Sequence, residues 1–172
     1  RAAVIIEQPK HNSRSATNID AGGPIEVIYS VLKQLNIEND REVIPIGYSW
    51  GGGIAISLAL ELYHHKSKSQ TRVANKIGKI KKLVLFMPSY SDLDTNSKQR
   101  KVSSLTNLPT LILWFPVDQI HPYTLGQYLV KNIPQSSLTF LDCGKFTNWK
   151  GAWNYEVYDF LIVPLMLNFI KE

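Results

Sequence analysis

The chain has 172 residues, 44% of them hydrophobic and 19% charged, which fits one globular domain with a single core. No apolar stretch reaches the ~18 residues that a membrane-spanning helix needs, so we expect no membrane span, and no signal-peptide pattern opens the sequence. A single cysteine, Cys143, excludes an internal disulfide framework and favours an intracellular location.

The apolar pattern predicts strands and helices that alternate along the chain. Residues 3–7 form a first strand. The first helix starts near Pro24 and carries apolar residues at helical spacing. Residues 43–46 form the next strand, and the helix that follows it runs to about His65.

The second half of the chain continues this alternation. A helix follows Pro122, and a last helix occupies the region after Trp153. A polar loop at 89–107 separates two of the strands, which are predicted at 83–87, 111–115 and 138–141. Five buried strands joined by helices or loops imply right-handed crossovers, a largely parallel sheet flanked by helices, and an α/β fold in a single domain over 1–172.

The most informative motif joins the second predicted strand to its helix, where residues 47–51 read G-x-S-x-G. A serine at such a strand–turn–helix junction is typical of a nucleophile elbow, because a tight turn between glycines exposes its hydroxyl at the helix N-terminus. Ser49 is therefore the candidate nucleophile, and the backbone N–H of Trp50 is the expected oxyanion donor. The alternative is a Gly/Ser-rich turn without chemistry, which the flanking elements disfavour.

The positive charge is concentrated in one segment. Residues 66–82 hold seven basic residues and no acidic one, within a formal net charge of +5. One interpretation is a patch for nucleic acid or acidic lipid. Because aromatic residues are not interleaved and the segment is rich in Ser, Thr, Asn and Gln, a solvated connector is the better interpretation.

With these features the chain resembles the α/β-hydrolase family, from that family's fourth strand to its C-terminal helix. Residues 4–12 are similar to the fourth strand and its loop, and residues 47–51 to the elbow. Residues 109–122 are similar to the seventh strand and the loop that carries the catalytic acid. The resemblance places the acid at Asp118, a better match than Asp92 or Asp94 after the preceding strand.

The family's general base is a histidine after the eighth strand, and here the sequence departs from the pattern. Lys145 occupies the histidine position. The four histidines all precede it in the chain, and none stands where the family's order of nucleophile, acid and base requires. They are His11, His64, His65 and His121. A lysine acts as base only if burial removes its charge, far below its ordinary pKa of about 10.4.

The resemblance also implies that parts of the family fold are missing. The first three strands, half of the oxyanion hole and the cap domain have no counterpart in this sequence. In the family sheet the third strand lies between the fourth and fifth, so its absence leaves unpaired backbone groups, each costing about 1–3 kcal/mol if buried. Either sequence upstream of Arg1 fills this gap, another chain does, or the two strands close up directly.

The last helix is apolar on almost every side from Phe160 to Ile170. Such a helix requires burial on every side, whereas one face of a sheet covers only half of it. Core packing around a kink at Pro164 and docking against a partner protein are equal alternatives.

Three functions follow from these observations. The leading one is a catalytically degenerate hydrolase homologue that serves as a structural or interaction subunit, with protein partners at the last helix and the open sheet. The second is an active serine hydrolase of esters or amides, whose base is Lys145, His121 or a residue outside this sequence. The third is a basic module that binds nucleic acid or acidic lipid; it rests on residues 66–82 alone, and nucleic acid is the less expected partner. No metal and no cofactor is expected in any of them.

Overall fold

The computed structural model describes residues 22–35, 42–65, 80–89, 102–115, 122–141 and 161–172. The helices are α1 (Gly22–Gln34), α2 (Trp50–His65), α3 (Tyr123–Asn132) and α4 (Val163–Lys171). The strands are β1 (Ile46–Tyr48), β2 (Leu83–Phe86), β3 (Thr110–Trp114) and β4 (Ser136–Phe140). The predicted strand at 3–7 lies outside the described residues.

The described strands form one parallel sheet in the order β1-β2-β3-β4. Strands that are neighbours in sequence are therefore neighbours in space. Since parallel strands end at the same edge of a sheet, the carboxyl ends of all four lie at one common edge. The predicted class, an α/β fold with a parallel sheet flanked by helices, is confirmed.

The strand that leads to Ser49 lies later in the sequence than predicted. We predicted 43–46, whereas β1 begins at Ile46. Pro45 has no N–H to donate to a ladder, although its carbonyl accepts a hydrogen bond from the N–H of Val84 at 3.0 Å. Val43 forms only an isolated bridge to Ile80.

The centre of the sheet is the core of the protein. Every residue of β2 and β3 is buried, and the Trp114 side chain is fully enclosed. A Cβ on Gly126 of α3 would come within 2.8 Å of a ring carbon of Trp114, which shows that Gly126 lies directly over the indole. Helix α3 therefore packs on β3 through close backbone approach.

The predicted polar loop at 89–107 is more than a solvent-exposed connection. Val102 and Leu105 are fully buried, and Leu108 is almost so. The N–H of Leu105 donates to the carbonyl of Val102, and the N–H of Leu108 to that of Leu105. These turns fix the entry into β3, and the apolar residues that anchor them interrupt an otherwise polar sequence.

Helix α4 packs with one face only. Ile162, just before it, and Met166 are buried, whereas Leu167 is 46% exposed. The expectation of burial on every side is therefore not met by contacts within the described residues.

Lys82 supports the end of this helix. It is buried, its ammonium group donates to the carbonyl of Phe169, and it lies 4.9 Å from the centre of that ring. A cation at a helix C-terminus is favourable because the carbonyl groups there carry partial negative charge. The prediction of a solvated connector is thus wrong for Lys82, while its neighbour Lys81 is exposed and pairs with Glu42 at 3.0 Å. The other basic residues of 66–82 lie outside the described residues.

Strand β1 is the open edge of the described sheet. Ile46 is 50% exposed, and no described strand pairs with the side of β1 that faces away from β2. None of the described helices is both long enough and apolar enough to cross a lipid bilayer.

Candidate active site

Ser49 occupies a strained backbone conformation between β1 and α2. Its φ angle is 49°, in the left-handed region that residues other than glycine rarely adopt. This conformation costs a residue with a side chain about 1–2 kcal/mol. Since such strain persists only where the surroundings over-determine it, it is commonly found at functional sites.

Backbone hydrogen bonds to β2, to the start of α2 and to the segment after β2 hold the turn. The N–H of Ser49 donates to the carbonyl of Phe86 at 3.0 Å, which extends the β1–β2 ladder by one residue. The Ser49 carbonyl accepts from the N–H of Gly52 at 2.9 Å and from that of Ser89 at 2.7 Å. The first of these begins α2, and the second ties the turn to the segment after β2.

Two glycines make this close approach possible. A Cβ on Gly47 would lie 2.6 Å from the Cα of Gly52, and a Cβ on Gly52 would lie 2.5 Å from the Cβ of Pro88. Atoms in folded proteins do not approach so closely, so neither position accepts a side chain. A Cβ on Gly51, by contrast, would meet nothing within 4 Å. Close packing therefore requires a glycine at the first position of the motif, Gly47, and not at its last position, Gly51.

A second hydroxyl lies beside Ser49. The Oγ of Ser89 is 3.3 Å from the Oγ of Ser49, and either atom can be the donor. Sequence reasoning missed Ser89, treating it only as the start of a polar loop. The signal that identifies it is its position three residues after β2, at the edge where the strand that precedes Ser49 also ends.

Aromatic side chains support this edge of the sheet. The rings of Tyr48 and Phe86 are 5.2 Å apart, and those of Phe86 and Phe115 are 5.4 Å apart in an edge-on arrangement. Phe86 and Phe115 are buried. Tyr48 immediately precedes Ser49, so this row of rings fixes the strand end from which the turn departs.

Trp50 is the first residue of α2. Its backbone N–H therefore lies at the helix N-terminus, where the helix dipole favours negative charge. This is the location expected of an oxyanion donor, and that role stays a prediction.

The charged members of the predicted site lie outside the described residues. Asp118 belongs to the segment between β3 and α3, and Lys145 to the segment between β4 and α4. The same holds for His11 and His121. His64 and His65 end α2, and at about 1.5 Å per residue they lie roughly 22 Å along the helix from Ser49.

Helix α1 packs against α2, with Tyr29 beside Glu61. Burial, and then the negative charge of Glu61 on α2, raise the pKa of Tyr29 on α1 above its ordinary value of 10.0. Burial alone raises the pKa of Tyr128 on α3. Both tyrosine hydroxyls therefore remain neutral over the physiological range of pH.

Within the described ranges, His, Cys, Asp and Glu residues form no group of three that would bind a metal ion. Within the described residues, the groups at this edge of the sheet are hydroxyl groups, backbone N–H groups and aromatic rings.

No family model matches the chain. Over 100 residues, or 54% of this chain, the sequence is 33% identical to a 2-hydroxy-6-oxononadienedioate/2-hydroxy-6-oxononatrienedioate hydrolase from Burkholderia vietnamiensis. The match covers 33% of that protein, so the chain spans about a third of the length of this curated relative.

Solved structures resemble the whole described fold. A predicted CIB-like hydrolase from Thermoplasma acidophilum superposes with a TM-score of 0.59 at 17% identity, over 91% of this chain and 65% of that one. A protein from Lactobacillus plantarum, provisionally assigned as a carboxylesterase, gives a TM-score of 0.54 at 14% identity, over 86% of this chain and 64% of that one.

The parallel sheet with its flanking helices therefore matches part of the α/β-hydrolase fold. The fold that the resemblance implied is thereby confirmed.

Proposed function

We propose that this chain is a catalytically degenerate α/β-hydrolase-fold protein that keeps a nucleophile elbow at Ser49 and serves as a structural or interaction subunit. The observation that carries the proposal is the combination of a strained Ser49 turn with a sequence that has no histidine after His121. The turn has the form that a nucleophile needs, and Lys145 stands where the base is expected.

The energetic argument concerns the proton of Ser49. A serine hydroxyl is a weak nucleophile unless a neighbouring base removes its proton. In a comparable triad, loss of the base lowers kcat about a millionfold. Lys145 replaces such a base only if it is neutral near pH 7, which requires a large shift from a pKa of about 10.4. The degenerate function follows if Lys145 remains charged.

The second candidate is an active serine hydrolase of esters or amides, with Ser49 as nucleophile and Asp118 as acid. It is supported by the strain at Ser49 and by the adjacent Ser89 hydroxyl, because strain of this kind is costly to keep without a use. The compound in the relative's name, 2-hydroxy-6-oxononadienedioate, has no ester or amide bond, so it should be tested separately, beside a simple ester.

Covalent labelling by a fluorophosphonate separates the two. In the labelling reaction the Ser49 Oγ forms a bond to phosphorus, fluoride leaves, and the serine proton passes to a base. If the protein is catalytically degenerate because Ser49 lacks a base, Lys145→His should accelerate labelling by about 10²–10⁴-fold, the usual contribution of a general base. If the protein is an active serine hydrolase, the unmodified chain should be labelled rapidly, and Lys145→His should not increase the labelling rate.

Ser49→Ala is the control for both, since it removes the reacting oxygen and should abolish labelling. If neither the unmodified chain nor Lys145→His is labelled while both are folded, Ser49 is not a nucleophile and the site assignment is wrong.

The subunit role has a separate test. We expect the native particle to be larger than a monomer, with helix α4 and the open edge of β1 as the surfaces that contact a partner protein. A free monomer at physiological concentration, measured by light scattering, would argue against this role whatever the labelling shows.

A further inference from the structure

Ser89 belongs to a short segment, Met87–Ser89, that turns back over the Ser49 turn. We propose that Ser89 is a positioning residue, whose hydroxyl orients the Ser49 hydroxyl for attack. The inference rests on the proposed role of Ser49 as the nucleophile, and it adds a residue from the neighbouring strand to that site.

The segment is fixed at each of its three residues. Met87 is fully buried, has a φ of 39°, and donates its N–H to the carbonyl of Leu113 at 3.0 Å. Pro88 packs against Gly52 so closely that a Cβ there would clash. The N–H of Ser89 donates to the Ser49 carbonyl at 2.7 Å. The backbone of Ser89 is therefore held against the very residue that its side chain contacts.

This leaves the Ser89 side chain with essentially one rotatable bond. Its Oγ lies 3.3 Å from the Ser49 Oγ. A serine hydroxyl has three staggered positions, and a hydrogen bond to a fixed neighbour favours one of them. Because both backbones are anchored, the hydrogen bond between the two side chains favours one position of the Ser49 hydroxyl.

The chemistry limits Ser89 to this role. Two serine hydroxyls hold a proton equally tightly, so Ser89 gains nothing by taking the proton of Ser49 and does not replace a base. What it supplies is orientation, which lowers the barrier by keeping the reactive geometry populated. Removal of Ser89 should therefore slow the chemical step without weakening the binding of the reagent.

The experiment compares fluorophosphonate labelling of the full chain and of four variants, each also in the Lys145→His background. They are Ser89→Ala, Ser89→Thr, Ser30→Ala and Ser49→Ala. Ser30 is exposed on α1 and serves as the matched serine-to-alanine control. The quantities measured are the maximal labelling rate, the half-saturating reagent concentration, the final stoichiometry, and the thermal midpoint.

We expect Ser89→Ala to lower the maximal labelling rate about fivefold, the loss expected when one neutral hydrogen bond is removed. The half-saturating concentration and the final stoichiometry should not change. Ser89→Thr keeps the hydroxyl and should stay within about twofold of the parent, as should Ser30→Ala. The midpoint of the pH–rate profile should be that of the parent, with a lower plateau.

Three results would overturn the inference. If Ser89→Ala reacts at the parent rate, Ser89 does not position Ser49, although Ser49 remains the nucleophile. If only the labelled fraction and the thermal midpoint fall, the role of Ser89 is merely structural. If no variant is labelled in either background, the proposed site fails and this inference with it. Ser89→Cys, which keeps the side-chain volume but bonds weakly, gives the same test if Ser89→Ala does not fold.

Discussion

The Ser49 turn and helix α4 are held in place in opposite ways. The turn is fixed by backbone hydrogen bonds to Phe86, Gly52 and Ser89 and by two glycines whose positions admit no side chain. Helix α4 is held by apolar side chains on one face, of which only Ile162 and Met166 are buried, and by one buried lysine, with Leu167 left exposed. One region is therefore specified by steric fit of the backbone, and the other depends on a few side chains.

This difference predicts how each region responds to substitution. At the turn, a single added carbon atom at Gly47 or Gly52 should be damaging, whereas the same addition at Gly51, where the space is open, should be tolerated. At helix α4, the loss of one polar contact should be enough to loosen the helix.

The largest expected effect is at Gly47 and Gly52. Alanine at either position places a Cβ about where backbone or Pro88 atoms lie, so each variant should lose roughly 3 kcal/mol or more of unfolding free energy, or fail to fold. The matched control is Gly51→Ala, where the space is open and helix propensity should add about 0.5–1 kcal/mol. Urea unfolding measures all three, and equal effects at the three glycines would show that steric fit does not fix the turn.

The next effect tests helix α4. Lys82→Met keeps much of the aliphatic stem but removes the donor to the Phe169 carbonyl, so the unfolding free energy should fall by about 1–3 kcal/mol. Amide hydrogen exchange in residues 163–171 should accelerate. Lys81→Met, which breaks only the exposed pair with Glu42, should cost less than about 1 kcal/mol. If the two lysines behave alike, α4 is held by its apolar face alone and the contrast with the turn disappears.

A smaller effect measures the strain at Ser49 directly. Because glycine adopts positive φ without penalty, Ser49→Gly should be about 1 kcal/mol more stable than Ser49→Ala. The order should reverse at Ser30, in the regular helix α1, where glycine is about 1 kcal/mol worse than alanine. Thermal and urea unfolding of the four variants checks this, and the same order at both sites would mean that Ser49 is not strained.

The smallest effect concerns the contact between α1 and α2, and it changes the unfolding free energy only at alkaline pH. The raised pKa of Tyr29 means that the folded chain keeps a proton that the unfolded chain releases above about pH 10. The group's contribution to stability is thus fully present below pH 10 and is lost as the pH rises, by at most about 1.4 kcal/mol per pH unit. Tyr29→Phe should flatten this alkaline decline in the unfolding free energy, whereas Tyr123→Phe, at an exposed ring, should not. An unchanged slope in Tyr29→Phe would show that Tyr29 is not protected from ionisation by its contact with α2.

Much of the fold was predictable because each element has a strong local pattern. The end of helix α2 was predicted correctly at His65, and β2 and β3 to within a residue at each end, since these strands are continuous apolar runs. The start of β1 was wrong by three residues because hydropathy does not register the missing N–H of Pro45. Only the backbone ladder reveals that difference.

The site was predictable to the extent that a single segment defines it. Ser49 and Trp50 follow from one motif, whereas Ser89 comes next to Ser49 through a contact between residues 40 apart in the chain. Nothing in the local sequence around Ser89 indicates that contact. The burial of Lys82 was missed for the same reason. A lysine in a polar segment is expected to be exposed, and its partner Phe169 is 87 residues away in the sequence.

The order of the strands has a consequence for how the chain folds. Each described strand pairs with the one that precedes or follows it in the sequence, so no described pairing has to wait for a distant part of the chain. Pairings of short sequence separation lose less entropy on closure and form faster than distant ones. The sheet can therefore assemble outward from the β2–β3 centre, and the Ser49 turn gains its bonds to Phe86 and Ser89 when β1 pairs with β2.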